Sequence, residues 1–442
     1  MRVLMSYKST IWSKNIIFCV GKSCNIGENL YICRRDYNKY HIFNAQKSQI
    51  SSMKRIHFLA LFALVLLAAC GKKEPLIIAP CEIWPDNTGV HVNAHGGGIL
   101  EYNGTYYWFG ENKSDTTSSA MVGVDVYSSK DLVNWTNEGV ALAVSDDPES
   151  DITRGCVLER PKVIYNEKTG KFVMWFHLEL KGRGYSAARA GVAVSDSPTG
   201  PYEFIRSGRV NPGVWPIDLQ SDEAQAKLAE LDYMKYDERR NPQAEEWWTP
   251  EWRADVEAGL MTKRDLEGGQ MARDMQLFVD TDGKAYHIYS AEENLTLNIA
   301  ELSDDYLSHS GKYVRVAPAG HNEAPALFKK GDTYWMITSG CTGWAPNAAR
   351  MFSAPNIMGP WTQYENPCRG EQSEITFGGQ STYILPYGDN FIFMADIWRP
   401  KHPSDARYLW LPIQFDENGV PFLEFMEKWD LNTFQAVPAV AE

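Results

Sequence analysis

Five times along the chain, a short run rich in aromatic and β-branched residues meets a glycine-bearing turn and a second such run. The turns are Asn103-Gly104, Thr169-Gly170, Asp282-Gly283, Gly331-Asp332 and Gly388-Asp389, within hairpins spanning about 98–109, 162–176, 275–289, 326–337 and 381–394. A glycine between two such runs is the signature of a β-hairpin. Each hairpin is followed by further strand-like sequence: 122–128 with 131–135, 190–195 with 197–202, 298–302 with 305–307, 349–353 with 357–361, and 408–415. Gly-Pro-Tyr at 200–202 and Gly-Pro-Trp at 359–361 echo one another. Four strands per unit, repeated about an axis, predict an all-β five-bladed β-propeller over residues 86–442. The gap between Gly170 and Gly283 is wide and implies an inserted, partly helical segment at about 207–270, between blades two and three. Its 222–237 stretch reads as helix. Trp247 and Trp248 mark it as an ordered excursion, either over a pocket mouth or as rim decoration.

The chain of 442 residues carries a formal charge of −13, which argues against a nucleic-acid partner. The excess of acid is larger still beyond residue 69, because residues 1–69 are basic. A neutral substrate fits such a body better than a polyanion. Nothing in the sequence implies a protein partner. The aromatic share (Trp 15, Tyr 22, Phe 18) suits strands and also the flat faces of sugars.

Met53-Lys54-Arg55 opens a basic patch, and an apolar run follows from Ile56 to Ala69. At ~14 residues the run is short for a membrane span, which needs about 20. Basic start, short apolar core and small residues before Cys70 describe a lipoprotein signal peptide at 53–69, with Cys70 as the lipidation site. Residues 70–85 then form a lipidated linker, and 1–52 read as a mis-assigned upstream extension. The expected location is export, with a lipid anchor in a bacterial membrane, on the periplasmic face or the cell surface. Of eight cysteines, Cys81, Cys156, Cys341 and Cys368 remain in the body, with Cys341–Cys368 a candidate disulfide. No Cys-x-x-Cys spacing supports a zinc site, and no metal ligand set is predicted.

In a propeller the innermost strands line a central pit. The residues that open the five hairpins are His95-Gly96, Glu159-Arg160, Arg273-Asp274, Glu323-Ala324 and Gly379-Gln380. One acid before a strand is usually a turn residue. Glu159, Asp274 and Glu323 in corresponding places of three units instead point to a shared pit, where like charges shift one another's pKa and one acid stays protonated. Glycoside cleavage needs such a proton donor.

The segments Asn93–Gly98, Tyr106–Lys113, Glu159–Asn166, Arg273–Met275, Glu323–Phe328, Ser339–Trp344 and Gly378–Ser381 resemble glycoside hydrolase family 43, and within it the exo-β-1,3-galactanase branch. The resemblance covers roughly 86–415 and implies the same five-bladed fold. It implies Glu323 as general acid, Asp274 as a sugar-holding residue that tunes Glu323, and Gln380 as the group that orients water through an imidic-acid tautomer. Glu159 would hold sugar hydroxyls, or activate the water itself while Gln380 positions it. The family's usual Asp base in blade one is missing, since Ala94-His95-Gly96 stands there. The same resemblance adds Glu111, Tyr185, Asn294, Thr342 and Trp344 as substrate-binding residues; His95 either binds substrate, lines a central water or ion channel, or is a satisfied structural histidine. It implies no required cofactor. Some relatives hold an axial structural calcium, though no carboxylate-rich loop here demands one.

The expected function is therefore an inverting, exo-acting glycoside hydrolase releasing galactose from β-1,3-linked galactan, the backbone of arabinogalactan. The alternatives are another family 43 exo-glycosidase, of arabinofuranosidase or xylosidase type, and a catalytically silent glycan-binding surface lipoprotein.

Overall fold

The computed structural model describes residues 74–236 and 249–438; the expected upstream extension, the signal peptide and Cys70 lie outside these residues. The described chain is all-β, with few helices. The first sheet runs His95–Tyr102, Thr105–Glu111, Gly123–Ser129 and Thr136–Ala143. The second runs Val157–Asn166, Lys171–Glu179, Arg189–Ser195 and Glu203–Gly208. The third has Met275–Val279, Ala285–Ala291, Thr296–Leu302 and His309–Val316. The fourth has Asn322–Lys330, Thr333–Gly340, Arg350–Ala354 and Thr362–Tyr364. The fifth has three strands in its ladder, Gln380–Tyr387, Asn390–Ile397 and Arg407–Pro412. Each is an antiparallel meander whose strands pair in chain order.

All five expected hairpins and third strands are present. The expected fourth strands are displaced. Residues 131–135 form a turn, because Asp131 Oδ1 accepts from the backbone of Val133 and Asn134 and so competes with a ladder. Residues 197–202 are likewise a turn, and the strands begin just beyond, at Thr136 and Glu203.

The first strand of each sheet packs against its neighbours. His95–Tyr102 touches Val157–Asn166 on one side and Gln380–Tyr387 on the other, while Asn322–Lys330 touches both Met275–Val279 and Gln380–Tyr387. The sheets face one another through buried apolar side chains. Between the first and fifth, Trp108 sits 4.5 Å from Tyr408 and 4.9 Å from Trp410, ring centroid to centroid. Ile77–Ile78 pairs with Trp429–Asp430, so the start and end of the described chain share a small sheet.

Between the second and third sheets in sequence lie helices Asp222–Glu230, Pro250–Glu257 and Leu260–Asp265. Ser221 and Thr249 cap the first two through their hydroxyls, and Pro250 occupies the first turn, where its missing N–H costs nothing. Trp252 is buried with Val256, Met261, Leu295 and Ala319. Arg315, on the outer strand of the third sheet, donates to the carbonyls of Val256 (2.7 Å) and Glu257 (3.1 Å), which end the second helix. The helices thus dock on the edge of the third sheet.

Candidate active site

At four of the five inner strands the pairing register slips at the same place: between His95 and Gly98, Glu159 and Lys162, Glu323 and Ala326, and Ser381 and Tyr383. In three of them the residue after the first site position is left-handed, with φ of 60° at Gly96, 55° at Arg160 and 53° at Ala324. Bulges of this kind re-aim side chains, and here they begin just after Glu159 and Glu323, which remain paired with His177 and Ser339.

These side chains line a cavity of about 400 Å³ together with Glu111, Lys113, Arg160, His177, Tyr185, Arg273, Asp274, Asn294, Cys341, Gly343, Trp344, Gln380 and Trp398. The sequence-expected Glu159, Asp274, Glu323 and Gln380 are all there, as are Glu111, Tyr185, Asn294 and Trp344. Among the described residues, none of 207–270 lines the cavity. The helices reach it indirectly: Arg264 pairs with Glu293 (3.3 Å), and Glu293 with Arg273 (2.8 Å) on the cavity wall.

Three expectations need correction. His95 does not face the cavity. It is fully buried, stacked on Tyr408 at 5.5 Å, and burial, followed by the nearby Lys113, depresses its pKa to about 3. It is a neutral wall residue behind Trp398. Thr342 is exposed but turned into its own loop, donating to Ala345 O and accepting from Asn347 Nδ2. The candidate disulfide is absent: Cys341 and Cys368 are both free thiols.

Arg160 is the hub. Its guanidinium meets Asp274 Oδ2 at 2.8 Å, Gln380 Oε1 at 2.7 Å and Ser381 O at 3.0 Å. Gln380 Oε1 also accepts from the Trp398 indole at 2.8 Å. On its other side, Gln380 Nε2 donates to Glu323 Oε1 (2.9 Å) and Ser339 Oγ (3.1 Å). The amide can face only this way, because guanidinium and indole N–H groups donate and never accept. Burial, and then the Asp274 charge, push the Glu323 carboxyl up to about 8 against the opposing pull of Arg160, so Glu323 is protonated at neutral pH.

Glu159 has the opposite character. Burial alone would raise it, but the His177 hydrogen bond, Lys113 and Tyr185 outweigh that and hold it well below its usual range. Tyr185 donates to Oε1 at 2.9 Å, and His177 Nδ1 approaches Oε2 at 3.2 Å. His177 Nε2 meets buried Glu179 at 2.9 Å; despite burial, the two carboxylates keep the imidazole charged to well above its normal pKa. Glu111 pairs with Lys113 and accepts from Arg160 N at 3.0 Å. A Cβ at Gly96 would lie 2.3 Å from Glu111 Oε1, so this bulge has no room for a side chain.

Glu159, His177 and Asp274 could bring three ligand atoms within 4.8 Å of one another. His177 Nε2 bonds Glu179 and Nδ1 lies 3.2 Å from Glu159, and an imidazole held charged between two carboxylates carries a proton on each nitrogen, which leaves no lone pair for a metal. The apolar side of the cavity is Trp344, 48% exposed, edge-on to Trp398 at 5.5 Å. Such a face suits the C–H side of a sugar ring.

Arg160, His177, Lys113, Arg273, Cys341 and Trp398 were not anticipated as site residues. Register could have found one of them, since His177 is the cross-strand partner of Glu159, and Gln380 faces Asp396 in the same way. Trp398 lies just past a strand end and carries no such signal.

Comparison with known proteins agrees with this chemistry. The sequence profile of Glycosyl hydrolases family 43 matches residues 251–421. A solved family 43 β-1,3-galactosidase, held with galactodeoxynojirimycin, is 58% identical, covers 80% of this chain and all of its own, and superposes with a TM-score of 0.75. An exo-β-1,3-galactanase from Phanerochaete chrysosporium, solved with β-1,3-galactotriose, is 29% identical, with 80% of this chain and 68% of that chain covered and a TM-score of 0.62. A curated β-D-galactofuranosidase of Aspergillus niger is 27% identical over 127 residues, 28% of this chain and only about a third (36%) of that relative.

Proposed function

The chain belongs to glycoside hydrolase family 43, and from that premise we propose that it is an exo-acting β-1,3-galactosidase that releases galactose from β-1,3-linked galactan. The observation that carries the reading is Glu323: a carboxyl kept protonated by burial and by Asp274, in a cavity that also holds the charged Glu159. The named activity and ligands of the relatives above support the substrate class.

In the reaction, Glu323 gives its proton to the glycosidic oxygen as the bond to the anomeric carbon breaks. A water oxygen bonds that carbon from the opposite face, and its proton passes to a waiting acceptor. The products are galactose of inverted anomeric configuration and a galactan shorter by one unit. Glu159 is favoured as the acceptor over Gln380. A carboxylate offers about four lone-pair sites, and Glu159 uses only some of them. Both amide oxygen positions of Gln380 are taken by Arg160 and Trp398, and both amide hydrogens by Glu323 and Ser339. Asp274, held by Arg160, would bind sugar hydroxyls and keep Glu323 protonated. Trp344, Tyr185, Asn294 and Glu111 would complete the galactose subsite.

The same reading takes the five sheets as propeller blades, supported by inner strands that pack in succession and return from the fifth sheet to the first. It takes the helices as an insertion between blades two and three. It also includes export through the 53–69 signal and a lipid anchor at Cys70. Acid–base hydrolysis draws on side chains and water, so no cofactor is required; an axial calcium would reveal itself as a lower melting temperature in chelator.

The test is incubation with β-1,3-galactobiose, following the anomer of released galactose by proton NMR. Initial appearance of α-galactose is expected. Release from arabinosides or xylosides but not from galactobiose would overturn the substrate assignment, and binding without release would overturn the enzymatic one.

A further inference from the structure

Gln380 occupies the place from which a family member of this kind would be expected to handle water, but its surroundings direct it to the acid instead. Its oxygen faces Arg160 at 2.7 Å and the Trp398 indole at 2.8 Å. Both are donors only, so neither can receive the O–H of an imidic acid. The tautomer that would free the nitrogen as a base therefore sets three hydrogens against one another at this oxygen. The amide form satisfies every group: oxygen to the two donors, one N–H to Ser339 and the other to Glu323 Oε1 at 2.9 Å.

That last bond has a consequence for the acid. A protonated carboxyl has one carbonyl oxygen, a good acceptor, and one hydroxyl oxygen, which donates. An N–H aimed at Oε1 marks it as the carbonyl oxygen and leaves the transferable proton on Oε2. Oε2 has Asn294 Nδ2 at the long distance of 3.3 Å, and Asn294 Oδ1 is buried with no protein partner among the described residues. A half-turn of that amide would present its oxygen to the Oε2 proton.

We propose that Arg160 and Trp398 are positioning residues which, by holding the oxygen of Gln380, aim its N–H at Glu323 Oε1 and fix the acid proton on Oε2. This rests on the reading of Glu323 as the general acid. Gln380 then serves departure of the leaving group, and Arg160 ties it to Asp274 through a single guanidinium. Trp398 also packs edge-on to Trp344, and Trp398→Phe keeps an aromatic ring there while removing the indole N–H.

The experiment compares two substrates. β-1,3-Galactobiose has a poor leaving group that needs protonation, whereas 2,4-dinitrophenyl β-galactopyranoside departs without it; both need water. Trp398→Phe and Arg160→Lys should lose roughly tenfold in kcat on galactobiose, the worth of one hydrogen bond. Trp398→Phe, which leaves the Arg160–Asp274 pair in place, should stay within about threefold of wild type on the dinitrophenyl galactoside, a split that general loss of structure does not produce. Glu323→Gln is the control and should show the same split, larger, because general acid catalysis contributes roughly 10²–10⁴. Equal losses of Trp398→Phe on both substrates would place Gln380 on the water side and overturn the proposal, as would wild-type rates on both. If Glu323→Gln itself shows no split, the acid assignment fails and takes the proposal with it; a split in that control with none in Trp398→Phe defeats the relay alone.

Discussion

His177 bridges two carboxylates: Nε2 lies 2.9 Å from Glu179 Oε1, and Nδ1 lies 3.2 Å from Glu159 Oε2. Glu179 is anchored in turn by the backbone N–H groups of Ala187 (2.8 Å) and Ala188 (2.9 Å). A site carboxylate is thus held charged by a cation that is itself fixed from behind. His177→Gln leaves two acids facing each other without that cation, and should cost about 3–5 kcal/mol of stability near pH 6. The folded pKa of His177 is raised, so its contribution is fully present below the unfolded value of about 6.5 and fades as pH rises past the folded one. Urea unfolding of both proteins at pH 6 and pH 10 should show the gap narrowing at the higher pH; an unchanged gap would mean the imidazole is neutral.

The proton donor sets an alkaline limit on turnover. With Glu323 at about 8, kcat/KM on galactobiose should fall tenfold per unit above that pH. Asp274 raises this carboxyl, so Asp274→Asn should move the limb of its residual activity to lower pH. A limb that stays put in the variant would separate the two carboxyls electrostatically.

Trp108 joins the first and fifth sheets. It is 1% exposed and packs its ring on Tyr408, Trp410 and Trp135. Trp108→Ala should lose about 3–5 kcal/mol, read as a fall in the urea midpoint. A loss under about 1 kcal/mol would show that the two sheets are held together elsewhere.

Two glycines near the first hairpin should respond differently to alanine. A Cβ at Gly97 would lie 1.8 Å from Phe109 O, inside the backbone of the paired strand, so Gly97→Ala should abolish soluble protein. Gly104 has open space and a φ of 68°, so Gly104→Ala should cost only about 1 kcal/mol of turn strain. Similar melting temperatures for the two variants would contradict the close approach at Gly97.

The hairpins were legible because a glycine turn between two aromatic runs is a local signal, and counting back from each turn located Glu159, Asp274, Glu323 and Gln380. The fourth strands were misplaced where a side chain, Asp131, captured backbone N–H groups that a ladder would otherwise use. His95 misled for a different reason. Its position in the repeat matches that of Glu159, but its bulge is packed under Tyr408, and burial is a property of the neighbouring sheet. Arg160 was in plain view beside Glu159; its reach across to Gln380 and Ser381 depends on residues more than two hundred positions away, which no local pattern encodes.

The crowding at Gly96 has a practical meaning for anyone wishing to retrofit this scaffold. Grafting an aspartate at Gly96 in the first sheet, to supply a water-activating anion there, would drive its methylene into the Glu111 carboxylate, and the two preceding positions, Ala94 and His95, are sealed inside the fold. Conversion to the three-acid layout would therefore demand rebuilding Glu111, and with it Lys113, as a set; a one-codon change cannot reach it.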